Sequence, residues 1–216
     1  MKSVLVIGMG RFGRHLATKF AELKNEVMII DKIEERVNEM APIVTTAEIG
    51  DCTNPEVLNS IGVGNFDVCF VCIGSNFQSS LEVTSLLKEL GGKYVVSKAG
   101  REIQAKFLLR NGADEVIYPE KDLAEKSAIR FSANHVFDYI ELTNEYSIFE
   151  ILPLQSWLGK TIAEVSIRVK YQMNILAVKV NGEMFPLPKA DHVFKDDEHL
   201  IVAGKKNEMV KFLKKI

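Results

Sequence analysis

Val6-Ile7-Gly8-Met9-Gly10-Arg11-Phe12-Gly13 lies near the head of the chain, where a short apolar run, Ser3–Ile7, gives way to a helical run, Arg11–Leu23. The spacing of Gly8, Gly10 and Gly13 is G-x-G-x-x-G, a weak signal by itself. Its setting strengthens it: a strand before, a helix after, and the acidic Asp31 at the end of the next apolar run, about 20 residues on. Each residue has a physical task. Gly8 permits the tight turn, Gly10 lets backbone approach a phosphate, and Gly13 lets helix and strand pack closely. The helix N-terminus presents free N–H groups and the positive end of its dipole to an anion. Met9 and Phe12 complete the cradle. Asp31 is placed to accept hydrogen bonds from two ribose hydroxyls and to repel a 2′-phosphate, an effect that the neighbouring Lys32 tempers. The competing interpretation is a glycine-rich turn with no ligand.

Outward from this turn, the first half of the chain alternates short β-branched runs with helical stretches. Strands are predicted at Ser3–Ile7, Glu26–Ile30, Thr45–Ile49, Val68–Ile73, Tyr94–Ser97 and Glu115–Tyr118. Helices are predicted at Arg11–Leu23, Ile33–Met40, Pro55–Ser60, Phe77–Leu90 and Arg101–Arg110. Gly91-Gly92 and Asn111-Gly112 sit where helices should stop. This alternation implies an α/β fold, a Rossmann-like, doubly wound parallel six-stranded sheet. Glu120–Asn134 reads as one further helix, after which the pattern changes. Tyr139–Thr143 and Tyr146–Leu152 are strands joined at Asn144-Glu145. Ile175–Val180 and Met184–Leu187 flank Asn181-Gly182, a strong hairpin signal. His199–Ala203 is a strand, and Lys205–Ile216 a helix with Met209, Phe212, Leu213 and Ile216 at helical spacing. The expected organisation is a nucleotide-binding domain over residues 1–118, a crossover helix over 119–134 and a small α+β domain over 135–216.

Composition narrows the function classes. A chain of 216 residues makes one large domain or two small ones. At 47% hydrophobic and 26% charged residues it is not disordered, and a net charge of −2 argues against a nucleic-acid partner bound by bulk charge. The cysteines, Cys52, Cys69 and Cys72, are odd in number and too few for a disulfide framework. Cys69 and Cys72 are C-x-x-C, but they fall in one apolar strand, where positions three apart face opposite sides, so they read as core thiols. No apolar stretch approaches the roughly 18 residues that span a bilayer. Met1-Lys2-Ser3-Val4-Leu5-Val6-Ile7 runs straight into Arg11, Arg14 and a folded motif rather than a signal-peptide cleavage site, so a cytoplasmic location is expected. Lys205, Lys206, Lys211, Lys214 and Lys215 form either a solvated helix face or a contact for anionic lipid or a partner.

In a doubly wound sheet, ligands lie outside the carboxyl ends of the strands. Those ends carry Gly50-Asp51-Cys52-Thr53, Gly74-Ser75-Asn76 and Lys98. Asp51 and Cys52 line an adenine pocket, unless Asp51 caps the helix from Pro55. Ser75 and Asn76 contact ribose or phosphate, unless they cap the helix from Phe77. Arg11, inside the cradle, and Lys98, at a strand end, are two extra cations that suit a terminal phosphate; the alternative for each is a surface charge. Acid–base equipment is harder to find. Of His15, His135, His192 and His199, the first lies on the cradle helix and the others outside the nucleotide fold. No Tyr-x-x-x-Lys pair lies on a predicted helix, and neither a nucleophile elbow, nor a zinc-ligand cluster, nor a Walker lysine is present.

The whole chain resembles the RCK gating subunits of bacterial potassium uptake systems, of the KtrA type within the TrkA-like family. The residues that carry the resemblance are the Val6–Gly13 cradle, Lys98-Ala99, Gly112-Ala113-Asp114, Tyr118-Pro119-Glu120-Lys121-Asp122, Tyr139-Ile140-Glu141-Leu142 with Glu145-Tyr146-Ser147-Ile148, and Arg168-Val169-Lys170-Tyr171 ahead of Asn174-Ile175-Leu176-Ala177. The resemblance implies a cytoplasmic regulator that assembles from dimers into an octameric ring beneath a membrane potassium channel subunit, peripheral at the inner face of the membrane. ATP and ADP would favour different ring shapes, and NAD or NADH binds in the wider family. By position, Arg11 and Lys98 would meet the terminal phosphates and Asp31 the ribose. Glu120 would help hold a divalent cation, Mg or Ca, near the nucleotide at a dimer interface, or serve only as a first-turn helix carboxylate. The resemblance also implies cyclic di-AMP between two C-terminal domains, with Arg168, Asn174 and Ile175 on the ligand and Ile162, Ile167 and Pro188 as apolar contacts; the alternative is hairpin packing.

Three functions compete on these residues. One is a non-enzymatic nucleotide sensor. A second is a small NAD(H)-dependent oxidoreductase, which shares the cradle and Asp31 but needs a substrate site. The third is a DNA-binding repressor, for which the sequence offers neither a winged-helix segment nor a basic face.

Overall fold

Val4, Leu5, Val6 and Ile7 are all buried, which a strand covered on both faces requires. They form β1 (Ser3–Ile7), the strand from which the first sheet is wound. The computed structural model describes residues 1–74, 76–131, 136–143 and 145–213. These fall into two units, Met1–Glu120 and Lys121–Ile216. Ser75, the turn residue Asn144, His135, the expected end of the crossover helix at 132–134, and Lys214, Lys215 and Ile216 lie outside the described residues.

In the first unit, β1 is followed by α1 (Arg11–Glu22), β2 (Glu26–Asp31), α2 (Glu34–Met40), β3 (Thr46–Ile49) and α3 (Pro55–Ser60). After a 3-10 turn at Val63–Asn65 come β4 (Val68–Val71), α4 (Phe77–Glu89), β5 (Val95–Lys98), α5 (Glu102–Arg110) and β6 (Glu115–Ile117). The strand order is β3-β2-β1-β4-β5-β6, with every neighbour parallel. The winding reverses between β1 and β4, so the crevice at their carboxyl ends, beside Gly8 and Gly74, is the switch point where such sheets bind ligands.

Alternation sorts the strand residues onto two faces. Leu5, Ile7, Ile30, Cys69 and Val71 pack with Val83 and Leu87 of α4 on one face. Val4, Val6 and Ile29 pack with Ala17 of α1 and Met40 of α2 on the other. Cys69 belongs to the first cluster and Cys72 to the second, so the C-x-x-C pair is split by the sheet. Burial pushes both thiols up to about 12, which keeps them protonated core groups. The strands end slightly differently from expectation: β2 includes Asp31, β4 stops at Val71, and β5 includes Lys98.

The second unit contains most of α6 (Pro119–Phe131), then β7 (Val136–Glu141), β8 (Tyr146–Ile151), α7 (Ile162–Val165), α8 (Ile167–Tyr171), β9 (Met173–Val180), β10 (Glu183–Pro186), β11 (Glu198–Lys205) and α9 (Lys206–Leu213). The sheet is antiparallel, in the order β10-β9-β11-β8-β7. The β9–β10 hairpin turns on Asn181 (φ 51°) and Gly182 (φ 84°), the two positive values a primed two-residue turn needs. The core is aromatic: the Trp157 ring centroid lies 5.3, 5.6 and 5.5 Å from those of Tyr171, Phe194 and Phe212. Helices α7 and α8 are an addition to the expected elements. Thr161 and Glu164 form a capping box on α7, and Ser166 at φ 53° separates the two helices. Among the described residues no helix is long and apolar enough to cross a membrane.

Candidate functional site

The site begins with a turn that a side chain would block. Gly8 is at φ +95°, a value that favours glycine, and its N–H donates to Ile30 O at 2.8 Å, tying the turn to β2. A Cβ at Gly13 would collide with the carbonyl oxygen of Gly8, so helix and strand touch there. Gly10 differs: a Cβ placed on it has nothing within 4 Å. Its open side leaves the backbone accessible there. Gly10 is also the N-cap of α1, and no side chain caps the helix. The first helical bond runs from Arg14 N to Gly10 O at 3.0 Å, so the N–H groups of the preceding turn face the crevice.

Asp31 holds this turn in shape. Its buried carboxylate accepts from Met9 N at 2.6 Å through Oδ2 and from Ile33 N at 2.9 Å through Oδ1, with Arg36 3.6 Å away. Each oxygen keeps a second lone pair for a ligand hydroxyl. Met9 takes part through its backbone; its side chain is buried in the core with Val4 and Ala17. Lys32 is exposed beside Asp31 and helps hold Asp51 low.

The cations converge on the same crevice. Lys98, at the end of β5, places Nζ 6.0 Å from the Phe12 ring centroid and 2.7 Å from Glu120 Oε1. Nζ also faces Gly74, whose added Cβ would stand 3.7 Å from it. The hydrogen bond from Lys98 holds the Glu120 carboxyl below the usual carboxylate range, and the positive charges of Lys98 and Arg11 add to this. Arg11 is exposed at the start of α1. Among the described residues its guanidinium forms no hydrogen bond or ion pair, and its positive charge is felt at Glu120.

The remaining expectations divide. Asp51 does not cap α3, a correction to one alternative: its Oδ1 accepts from Thr53 N at 3.1 Å and Thr53 Oγ1 at 2.8 Å, and these bonds keep its carboxyl low. The cap is Asn54, which accepts from Glu56 N at 3.0 Å ahead of Pro55 at the first helical position. Asn-Pro was the signal for it. Cys52 is buried among Leu5, Ile30 and Leu58, and burial pushes its thiol up to about 12. Asn76 takes the capping alternative, accepting from Ser79 N at 3.2 Å. Ser75 lies outside the described residues.

In the second unit, Arg168 on α8 and Asn174 on β9 are exposed, while Ile162, Ile175 and Pro188 are half-buried. Ile167 is buried in the aromatic core, so its side chain packs inward. Ile162 N donates to His192 O and Leu187 N to Leu176 O, which ties the segment carrying Pro188 to both α7 and β9. Among the described residues no group of three or more His, Cys, Asp or Glu side chains stands together as a metal site. Glu120 alone supplies one carboxylate toward the six to eight oxygens a calcium ion takes, or the octahedron magnesium demands, so the other ligands would come from phosphate, water or a second chain.

Comparison with known proteins places this geometry. Residues 4–119 match the TrkA-N domain family and residues 147–216 the TrkA-C domain family. The chain is 39% identical over 215 residues to Ktr system potassium uptake protein C of Bacillus subtilis (strain 168), an alignment covering 100% of this chain and 97% of that protein. It is 36% identical over 211 residues to Ktr system potassium uptake protein A of the same organism, covering 98% and 95%. Among solved structures, the GsuK channel bound to NAD superposes with a TM-score of 0.70 at 16% identity, covering 98% of this chain. At that identity the likeness is one of fold, and this chain spans 39% of the channel chain's length.

Proposed function

The chain belongs to the KtrA-type RCK regulatory subunits, built of a TrkA-N and a TrkA-C domain, and from that membership we propose that it is the nucleotide-sensing subunit of a potassium uptake system, gating a membrane channel partner. The observation that carries the nucleotide part is the crevice at the switch point. There the open backbone of Gly10, the buried Asp31 bonded to Met9 N, and Lys98 near the Phe12 ring all belong to the one glycine turn and its flanking strands, with Arg11 at the start of α1. ATP and ADP are the ligands we assign, with NAD or NADH sharing the cradle; the GsuK channel, alike in fold, has been solved bound to NAD. Asp31 takes the ribose hydroxyls, the helix start takes the inner phosphates, and Arg11 and Lys98 take the terminal phosphate. Asp51 and Lys32 lie on the adenosine side.

The protein does its work by population shift. A nucleotide that binds two conformations unequally biases them by the difference in its affinities, and the channel reads the bias. No step of this requires chemistry on the nucleotide, so our reading is of a regulator rather than an enzyme. The full-length potassium uptake relatives favour this over an NAD(H)-dependent oxidoreductase. In our reading residues 1–118 sense, 119–134 connect and 135–216 form a ligand-binding and dimerisation domain. Dimers form an octameric ring on the cytoplasmic side of the membrane, peripheral through the channel. A divalent cation, Mg or Ca, would be held by Glu120 with phosphate oxygens. Cyclic di-AMP would bind between two C-terminal domains through Arg168, Asn174 and Ile175, with Ile162 and Pro188 beside it.

Calorimetric titration with ATP and ADP at fixed salt tests the nucleotide assignment. Arg11→Ala should weaken ATP more than ADP, by about tenfold against less than threefold, the size of one charge-assisted contact. Equal losses would remove Arg11 from the terminal phosphate, and tight binding of NADPH with none of ATP or ADP would overturn the sensor reading.

A further inference from the structure

The Lys98–Glu120 pair lies where the incoming phosphate is assigned. The lysine side chain is 13% exposed, fixed between the Phe12 ring and Gly74, whereas the Glu120 side chain is 63% exposed and free to leave. Glu120 is the second residue of α6, whose first turn favours a carboxylate wherever the side chain points. The pair is therefore asymmetric: the cation is enclosed in the crevice and the anion reaches it from the solvent side. Arg11, at the start of α1, attracts the same carboxylate.

We propose that Glu120 is a built-in competitor for the terminal-phosphate subsite, occupying Lys98 until a nucleotide with enough charge at that position displaces it. This rests on the nucleotide reading above and deepens it. A carboxylate carries one negative charge; a terminal phosphate carries more, and accepts from Lys98 and Arg11 together. A nucleotide that stops one phosphate short leaves the Lys98–Glu120 bond intact and gains nothing from breaking it. The contact therefore sets a threshold that separates ATP from ADP. It also makes Glu120 available only in the state with the terminal phosphate in place, which is the state in which a cation between phosphate and carboxylate has its ligands.

The competition predicts the opposite sign from a purely ligating role. Titrate the full chain with ATP and with ADP in EDTA, comparing wild type with Glu120→Gln and Glu120→Ala. Without divalent cation, either substitution should tighten ATP about three- to tenfold, the range of a half-exposed ion pair, and change ADP less than twofold. ATP affinity that is unchanged or weaker in both variants, with wild type still binding ATP, would overturn the competition while leaving the site reading intact. A chain that binds neither nucleotide in any form would overturn both. Equal tightening of ATP and ADP would show that Glu120 repels phosphate generally and sets no threshold.

Discussion

Gly13→Ala and Gly10→Ala differ by three positions in one motif and should have different effects. At Gly13 the new Cβ meets the backbone oxygen of Gly8, with the Gly8 carbonyl carbon at 3.2 Å and Cys72 Cβ at 3.3 Å. None of these is the loose end of a side chain, so α1 must move off β1 by about 1 Å, loosening the packing of Ala17 against Val4 and Val6. Overpacking against backbone this close falls in the upper part of the usual range, about 2–3 kcal/mol, and the better helix propensity of alanine returns about 1 kcal/mol. The net loss, about 1–2 kcal/mol, lowers a urea midpoint by about 0.5–1 M. At Gly10 the Cβ meets nothing within 4 Å, and φ −69°, ψ −177° suits any residue. Loss of unfolded-chain freedom and a poorer N-cap roughly offset each other there, so stability stays within about 0.5 kcal/mol. The methyl group nevertheless fills the approach to the phosphate, and ATP affinity should fall about tenfold or more. Urea unfolding followed by far-UV circular dichroism reports the whole chain, and Trp157 fluorescence reports the second unit, so the pair locates the damage. An unchanged midpoint for Gly13→Ala refutes the packing argument. Unchanged ATP affinity for stable Gly10→Ala refutes the placement of the phosphate.

Asp31→Ala leaves the N–H groups of Met9 and Ile33 without their acceptor and should destabilise the first unit by about 2–3 kcal/mol, with Asp31→Asn intermediate; equal midpoints would contradict the account of the cradle. The Ser80 hydroxyl is buried and has no hydrogen-bond partner among the described residues. Ser80→Ala should therefore raise thermal stability by about 1 kcal/mol, and a loss would show that the hydroxyl is bonded. In the second unit, burial pushes the Glu150 carboxyl up, but Lys179 at 2.9 Å and His199 at 2.7 Å outweigh it and hold the group low. A carboxyl depressed by folding contributes stability that is complete above its unfolded pKa, about 4.3, and fades as pH falls through the folded value. The Trp157 unfolding midpoint should then drop more steeply below about pH 4.5 in wild type than in Glu150→Gln; parallel curves would count against the pairing.

Several features were legible before any coordinates because their causes are local. A strand buried on both faces must be continuously apolar, so β1 is visible in Val4–Ile7. The β9–β10 turn is visible in Asn181-Gly182 because few residues tolerate two successive positive φ values. Helices α7 and α8, of four and five residues, are too short to show a repeating face, and they were missed. Asp51 looked like a cap because it precedes a helix, yet its carboxylate closes on Thr53 and leaves Asn54 the role. Ile167 looked available because a sequence does not say which way a single turn of helix faces.

Elements and the glycine geometry of the cradle follow from residues within a few turns of one another, so the order of amino acids alone settled them. The partners of charged groups did not follow. Asp31 reaches Met9 and Lys98 reaches Glu120 across 22 residues each, through strands brought side by side by burial of their neighbours. Which acid meets which base is decided by how the hydrophobic layers stack, since pairs of side-chain charges contribute little beside the apolar area that orders the sheet. The chain therefore announced a phosphate cradle, and only its folding revealed that one of the cradle's cations already holds an anion of its own.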